Sequence, residues 1–365
     1  MAEDVYRQLQ LHFDEFYLGF PKTESGIEIR LLKRLFTPEE AAIALYIKCG
    51  HLGSLKNFDT LEAIFERVKH LGFSLSEVGK MLDNMTKKGA IIGTKRNGSK
   101  IYANAVLIVG IYEFQVNKLT KGFLDDMYQY IREAWYAANK FETTQLRTIP
   151  VGVTIKHESP IARYDNIKSH FEESNGPFAI VNCICRQSND LLKSPCQMTD
   201  RREVCMSVGD SAYMYIENGW GKEITKEEAL NYLKQNEKEG LIFQIGNTQE
   251  FDFVCSCCHC CCGDIGHLRK MPNPAELTSS NYLAEINEEL CTGCGNCIDR
   301  CQMDAITMDN DLSVINQKRC IGCGNCILDC PADAIALVMK EGRKIPPANA
   351  EELYDNILNE RKKGN

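Results

Sequence analysis

The sequence predicts a multidomain α+β fold, and three observations point to it. Capped helix patterns followed by a hairpin signal fill roughly the first hundred residues. Strand and helix patterns then alternate with ten cysteines between Cys183 and Cys262. Finally, a four-cysteine run, C-x2-C-x2-C-x3-C, occurs twice between Cys291 and Pro331. A chain of 365 residues is long enough for two or three domains with cores of their own.

Residues 1–26 form an aromatic-rich amphipathic start, LQLHFDEFYLGFP, read as an arm that packs on the body or on a partner. Residues 27–104 read as a winged helix-turn-helix. Thr37-Pro38-Glu39-Glu40 is a capping box with proline at the first helical position, opening a helix through Lys48. Asp59 to Glu62 opens a second helix, with Leu61, Ile64, Phe65 and Val68 on one face. Ser74 to Lys88 is the third and stops at Gly89. Ala90-Ile91-Ile92 and Ile101-Tyr102, joined through Asn97-Gly98, make the wing hairpin.

Residues 105–160 supply a strand-like run at Ala105–Tyr112, a helix from Leu119 to Lys140 and an extended linker at Thr148–Val151. Residues 161–280 form a small α/β cysteine-rich domain. Its strands are Phe178–Val181 and Leu241–Phe243, and Thr225-x-x-Glu228 caps a helix between them. Residues 281–340 hold the repeated run, and residues 341–365 a tail helix.

Nineteen cysteines, of which only Cys49 precedes residue 180, exclude a spread disulfide framework. The repeated run has the ligand spacing of a two-[4Fe–4S] bacterial ferredoxin-like domain. Three thiolates come from one loop, and the last cysteine of each run serves the other cluster. Cys291, Cys294, Cys297 and Cys330 are therefore assigned to one cluster, and Cys320, Cys323, Cys326 and Cys301 to the second. Gln302 stands where the first run often has proline, whereas Pro331 is in place.

The other ten cysteines are metal ligands in this reading. Cys183, Cys185, Cys196 and Cys205 suffice for one four-thiolate site. Cys255, Cys257, Cys258, Cys260, Cys261 and Cys262 suffice for another. One or two further iron–sulfur clusters are expected here, with zinc as the alternative and His259 or His267 as conceivable fourth ligands. Adjacent thiolates also permit a cluster of unusual nuclearity. Arg186, Arg201, Arg202 and Arg269 are placed to offset anionic cluster charge, and Cys49 is read as a small hydrophobe.

The net charge of −8 is unevenly spread. Residues 29–104 hold 13 Lys+Arg against 7 Asp+Glu, while the first 28 residues hold 2 against 6. The basic stretch raises DNA as a partner, but the third helix presents no arginine to read guanine, so protein docking is the preferred reading. No apolar run reaches the ~20 residues of a membrane span, and MAEDVYRQLQ does not read as a signal peptide. The expected location is a reducing cytoplasm.

The segments GFPKTESGIEIRLLKRLFTPEEA, NCICRQ, CSCCHCCCG, CTGCGNCIDRCQMDAI and CIGCGNCILDCPADAI resemble those of roughly 360-residue 4Fe–4S dicluster-domain proteins of anaerobic bacteria and archaea. The resemblance implies iron–sulfur clusters and electron transfer in anaerobic metabolism. With no GxGxxG, P-loop or HExxH motif, the chain reads as an electron carrier or electron-transfer subunit rather than a stand-alone enzyme. Its expected partners are redox proteins, with homo-oligomerisation through the N-terminal domain. A redox-responsive winged-helix regulator and a reductase with an unusual cluster are the alternative readings.

Overall fold

The computed structural model describes residues 2–138, 141–151, 163–342 and 344–364. The chain divides into two compact units. One comprises residues 1–142, 213–222 and 350–365; the other comprises residues 143–212 and 223–349.

In the first unit, the helix Ala2–Asp14 lies in the core through Leu9 and Phe13. The Tyr6 hydroxyl donates to the Phe36 carbonyl at 3.0 Å. The helix Ile27–Leu35 follows, a helix the motif reading passed over although Ile27, Leu31, Leu32 and Leu35 have helical spacing and are buried. Its Glu28 is buried and paired with Arg7 at 3.0 Å.

The capping box at Thr37 opens the helix Pro38–Ala44. That helix stops four residues short of Lys48, and the buried Asn104 amide takes up the carbonyls of Ala44 and Ile47, each at 2.8 Å. Strand β1 (Asp59–Thr60) precedes the helices Leu61–Val68 and Leu75–Lys88. Strands β2 (Ile91–Arg96) and β3 (Ser99–Asn104) pair as a hairpin over Asn97 and Gly98, both at positive φ, and the sheet order is β1-β3-β2.

Ala105–Tyr112 is not a strand, contrary to the expectation. Leu107–Ile111 closes a wide turn with Val109 at φ 58°, and Gly110 donates to Glu113 Oε2 at 2.8 Å. A run that is apolar throughout carries no period, and this one is buried without sheet partners. The helix Lys121–Tyr130 widens into a π-type turn at Ile131–Trp135, and the end expected at Lys140 lies outside the described residues. The tail helix Ala350–Gly364 reaches back through Arg361, which pairs with Asp14 at 2.6 Å.

The second unit is built on a six-stranded sheet in the order β4-β8-β9-β6-β5-β7. Its strands are β4 (Leu146–Ile149), β5 (Phe178–Asn182), β6 (Glu203–Val208), β7 (Gly221–Ile224), β8 (Ile242–Gly246) and β9 (Phe253–Cys257). Phe171, Phe178, Met206, Phe243 and Val254 form its buried core, together with Ala229 and Leu233 of the helix Lys226–Lys238. Strands β10 (Tyr282–Ile286), β11 (Ile306–Asp309), β12 (Leu312–Ile315) and β13 (Ile335–Met339) follow, with β10 paired to β13 and β11 to β12.

Candidate metal centres

The duplicated run folds as a pseudo-twofold pair. Gly295 and Gly324, both at φ 80°, start the short helices Asn296–Arg300 and Asn325–Leu328. The Cys291 amide donates to the Asn287 carbonyl at 3.0 Å, and the Cys320 amide to the Asn316 carbonyl at 3.2 Å. The repeated Asp-Ala-Ile acquires a role: the Ala305 amide donates to Cys301 Sγ and the Ala334 amide to Cys330 Sγ, each at 3.3 Å. Such N–H groups stabilise thiolates and, by the same geometry, bound sulfur clusters.

Cys291, Cys294, Cys297 and Cys330 line one cavity with Thr292, Ser313 and Ala332. Cys294 is exposed there, whereas Cys297 is buried. The amides of Ser313 and Gly293 hold the Cys291 thiol below its ordinary range. Cys301, Cys320, Cys323 and Cys326 lie in or against an apolar core that also takes in Cys297 and Cys330. Burial pushes Cys323 up to about 12, and the charges of Cys301 and Cys320 push the same way. Soft thiolates with amide donors on sulfur fit iron–sulfur clusters chemically.

The ten upstream cysteines do not sort by sequence run. Cys196 leaves its neighbours and joins Cys258, Cys260 and Cys261, with the four Sγ atoms within 4.8 Å of one another. Cys196 stands 3.7 Å from Cys258 and 3.8 Å from Cys260. Cys183, Cys185 and Cys205 meet Cys255, Cys257 and Cys262 instead. Side-chain hydrogen bonds run Cys183–Cys185–Cys262–Cys257–Cys255–Cys205 and back to Cys183, closing a ring.

The sheet explains this mixing. In the β5–β6 register Val181 faces Cys205, and in β6–β9 Met206 faces Val254, which brings Cys205 to the level of Cys255. Cys183 follows the end of β5, its amide bonded to the Arg202 carbonyl at 2.7 Å. Cys255 and Cys257 point to one face of β9. Cys183 and Cys262 occupy the N-cap positions of the helices Ile184–Leu191 and Gly263–Lys270, where the helix dipole favours thiolate. Acidity alternates round the ring. Neighbouring thiols donate to Cys183, Cys262 and Cys255 and lower them, Cys255 to about 5, while Cys185, Cys257 and Cys205 are raised.

Of the four arginines singled out, Arg186 alone is shown bonding cysteine sulfur. It is fully buried, with Nη2 on Cys258 Sγ and Nε on Cys196 Sγ, both at 3.4 Å, and Nη1 on the Ser256 carbonyl at 2.9 Å. Burial opposes its charge, and the thiolates of Cys183, Cys258 and Cys205 more than offset that. Arg201 pairs with Glu239, Arg202 with Asp190 and Arg269 with Asp304. The four-thiol set contains no histidine. His259 instead meets Gln302, the residue standing in the proline position. Burial pushes the Cys49 thiol up, which suits a small hydrophobic residue.

Among the described residues, no helix is long and apolar enough to cross a membrane. Neither a curated protein nor a solved structure matches the chain significantly. Residues 283–344 match the family described as a 4Fe-4S dicluster domain. This match, together with the clustered cysteines, supports an iron–sulfur electron-transfer role for the chain.

Proposed function

We propose that the chain is a low-potential electron carrier of anaerobic metabolism. It holds two [4Fe–4S] clusters on the eight ferredoxin-type cysteines and at least one further iron–sulfur centre on the ten upstream cysteines. One observation carries the link between the two regions. Cys257 shares a buried apolar core with Cys297, Cys320 and Cys326, and Cys255 and Cys262 pack against that same core. Thiols of the two regions thus stand in one water-excluding body, as an internal electron path needs.

Within this reading each part of the chain has a task. A cluster, when bound, supplies one-electron chemistry. The exposed Cys294 marks the end where a redox partner docks. Ile321, Ile335 and Ala284 exclude water from the inner thiols. The amides of Ala305, Ala334 and Ala284 stabilise sulfur charge. The N-terminal helices and hairpin serve as a winged-helix module for protein docking. In support, Lys95 pairs with Glu217 at 2.5 Å and Lys100 with Asp83 at 2.7 Å, so the hairpin's lysines are matched by carboxylates rather than set out for phosphate.

The test is iron and acid-labile sulfide per full-length chain, beside a variant with Cys291, Cys294, Cys320 and Cys323 changed to alanine. Iron and sulfide persisting in the variant support a centre in the upstream domain. Their complete loss, with zinc in their place, would refute it.

A further inference from the structure

The six-thiol ring is larger than one cubane requires. A [4Fe–4S] cubane takes four terminal thiolates, one per iron. A single tetrahedral ion needs four thiols that all approach one another, since metal–sulfur bonds are ~2.3 Å. Among the described residues the set Cys196, Cys258, Cys260 and Cys261 meets that condition, and no trio from the ring does. Each ring cysteine touches two others in a closed circuit, so no four of them separate from a remaining two.

The ring also has internal symmetry. Cys183-x-Cys185 and Cys255-x-Cys257 are two C-x-C pairs contributed by different strand ends. Cys205 touches one member of each pair, Cys183 and Cys255. Cys262 touches the other two, Cys185 and Cys257. Two pairs joined by two bridging positions is the pattern of a body with two halves. Helix N-termini at Cys183 and Cys262, the two neighbours of Cys185 in the circuit, stabilise negative charge there.

We propose that the six cysteines hold one iron–sulfur cluster of more than four irons. Cys183 and Cys185 terminate one half, Cys255 and Cys257 terminate the other, and Cys205 and Cys262 stand where the halves join. The four-thiol set beside Arg186 is then a separate site. This inference rests on the reading that the upstream domain binds iron and sulfide at all.

The experiment uses the full-length chain, reconstituted anaerobically with ferrous iron and sulfide. Native mass spectrometry and iron-edge X-ray absorption are compared for the wild type, for Cys205→Ser with Cys262→Ser, and for Cys196→Ser with Cys260→Ser. The expected result is a ring-bound body of more than four irons that survives the Cys196/Cys260 change. In the Cys205/Cys262 variant it falls to four irons or fewer, while about eight irons stay on the ferredoxin-type cysteines. A ring that never binds more than four irons overturns the proposal, as does a Cys205/Cys262 variant with unchanged iron and iron–iron distances. Iron confined to the ferredoxin-type cysteines in the wild type overturns the underlying reading instead. X-ray absorption of the wild type alone decides nuclearity if the double variant fails to fold.

Discussion

Gln302 Oε1 accepts the His259 backbone N–H at 2.8 Å, with His259 Nδ1 at 3.2 Å, and Gln302 Nε2 donates to the Gly240 carbonyl. The residue that displaces the customary proline thus joins the first ferredoxin-type run to the cysteine-rich CCHCCC segment. Proline has no side-chain donor or acceptor and could not do so. Gln302→Ala is expected to cost about 1–3 kcal/mol by stranding buried polar groups. Gln302→Pro should cost at least as much even though it restores the common residue. Thermal unfolding of the reconstituted chain checks both, and a stable Gln302→Pro variant would contradict the linkage.

Arg186 is a buried cation whose charge is met by sulfur. Gln at this position should weaken metal binding at Cys196, Cys258, Cys260 and Cys261 by on the order of 10–100-fold, the usual effect of removing a partner behind the ligands. Lys should restore part of it, because it keeps the charge without the planar fork. Metal content after graded chelation reads this out, and the eight ferredoxin-type cysteines should be unaffected.

Gly293 and Gly322 hold equivalent places in the two runs, at φ 66° and 70°. A Cβ at Gly293 would strike the Asp311 carbonyl oxygen, and one at Gly322 the Tyr282 carbonyl oxygen. Both obstacles are backbone, so neither side can swing away. Alanine should cost about 1–3 kcal/mol of local strain at each position. Gly293→Ala should impair the Cys291 loop and Gly322→Ala the Cys320 loop. Reduced-state EPR of each variant should lose one cluster signal and keep the other.

His170 stacks on Phe251 with centroids 4.9 Å apart, and burial lowers its pKa below the usual 6.5. The unfolded chain therefore takes up a proton first as pH falls. Between about 6.5 and the lower native value the unfolded state binds more protons, so stability is lost with falling pH. His170→Phe preserves ring stacking and removes the titration. Melting temperatures between pH 7 and pH 5 should drop less steeply in the variant than in the wild type.

Much of the architecture was legible because local signals agreed with it. The capping boxes at Thr37 and Thr225 both form, and Asn97-Gly98 turns a hairpin. Ala105–Tyr112 misled because an unbroken apolar run has no period to read. The partition of the ten cysteines was hidden for a different reason. Cys196 and Cys205 are nine residues apart yet join different sets, because β6 carries Cys205 into the sheet while Cys196 lies outside its strands. Strand register decides that, and register is a long-range property. Gln302 was visible as a departure, but its partners His259 and Gly240 lie 43 and 62 residues away.

The most direct test of the central claim is an anaerobic coulometric titration of the full-length chain, followed by EPR. Centres in both regions predict more than two electrons per chain and spin coupling between a ferredoxin-type cluster and an upstream one. Uptake of two electrons only, with two isolated cubane signals and zinc on the remaining cysteines, would contradict the account.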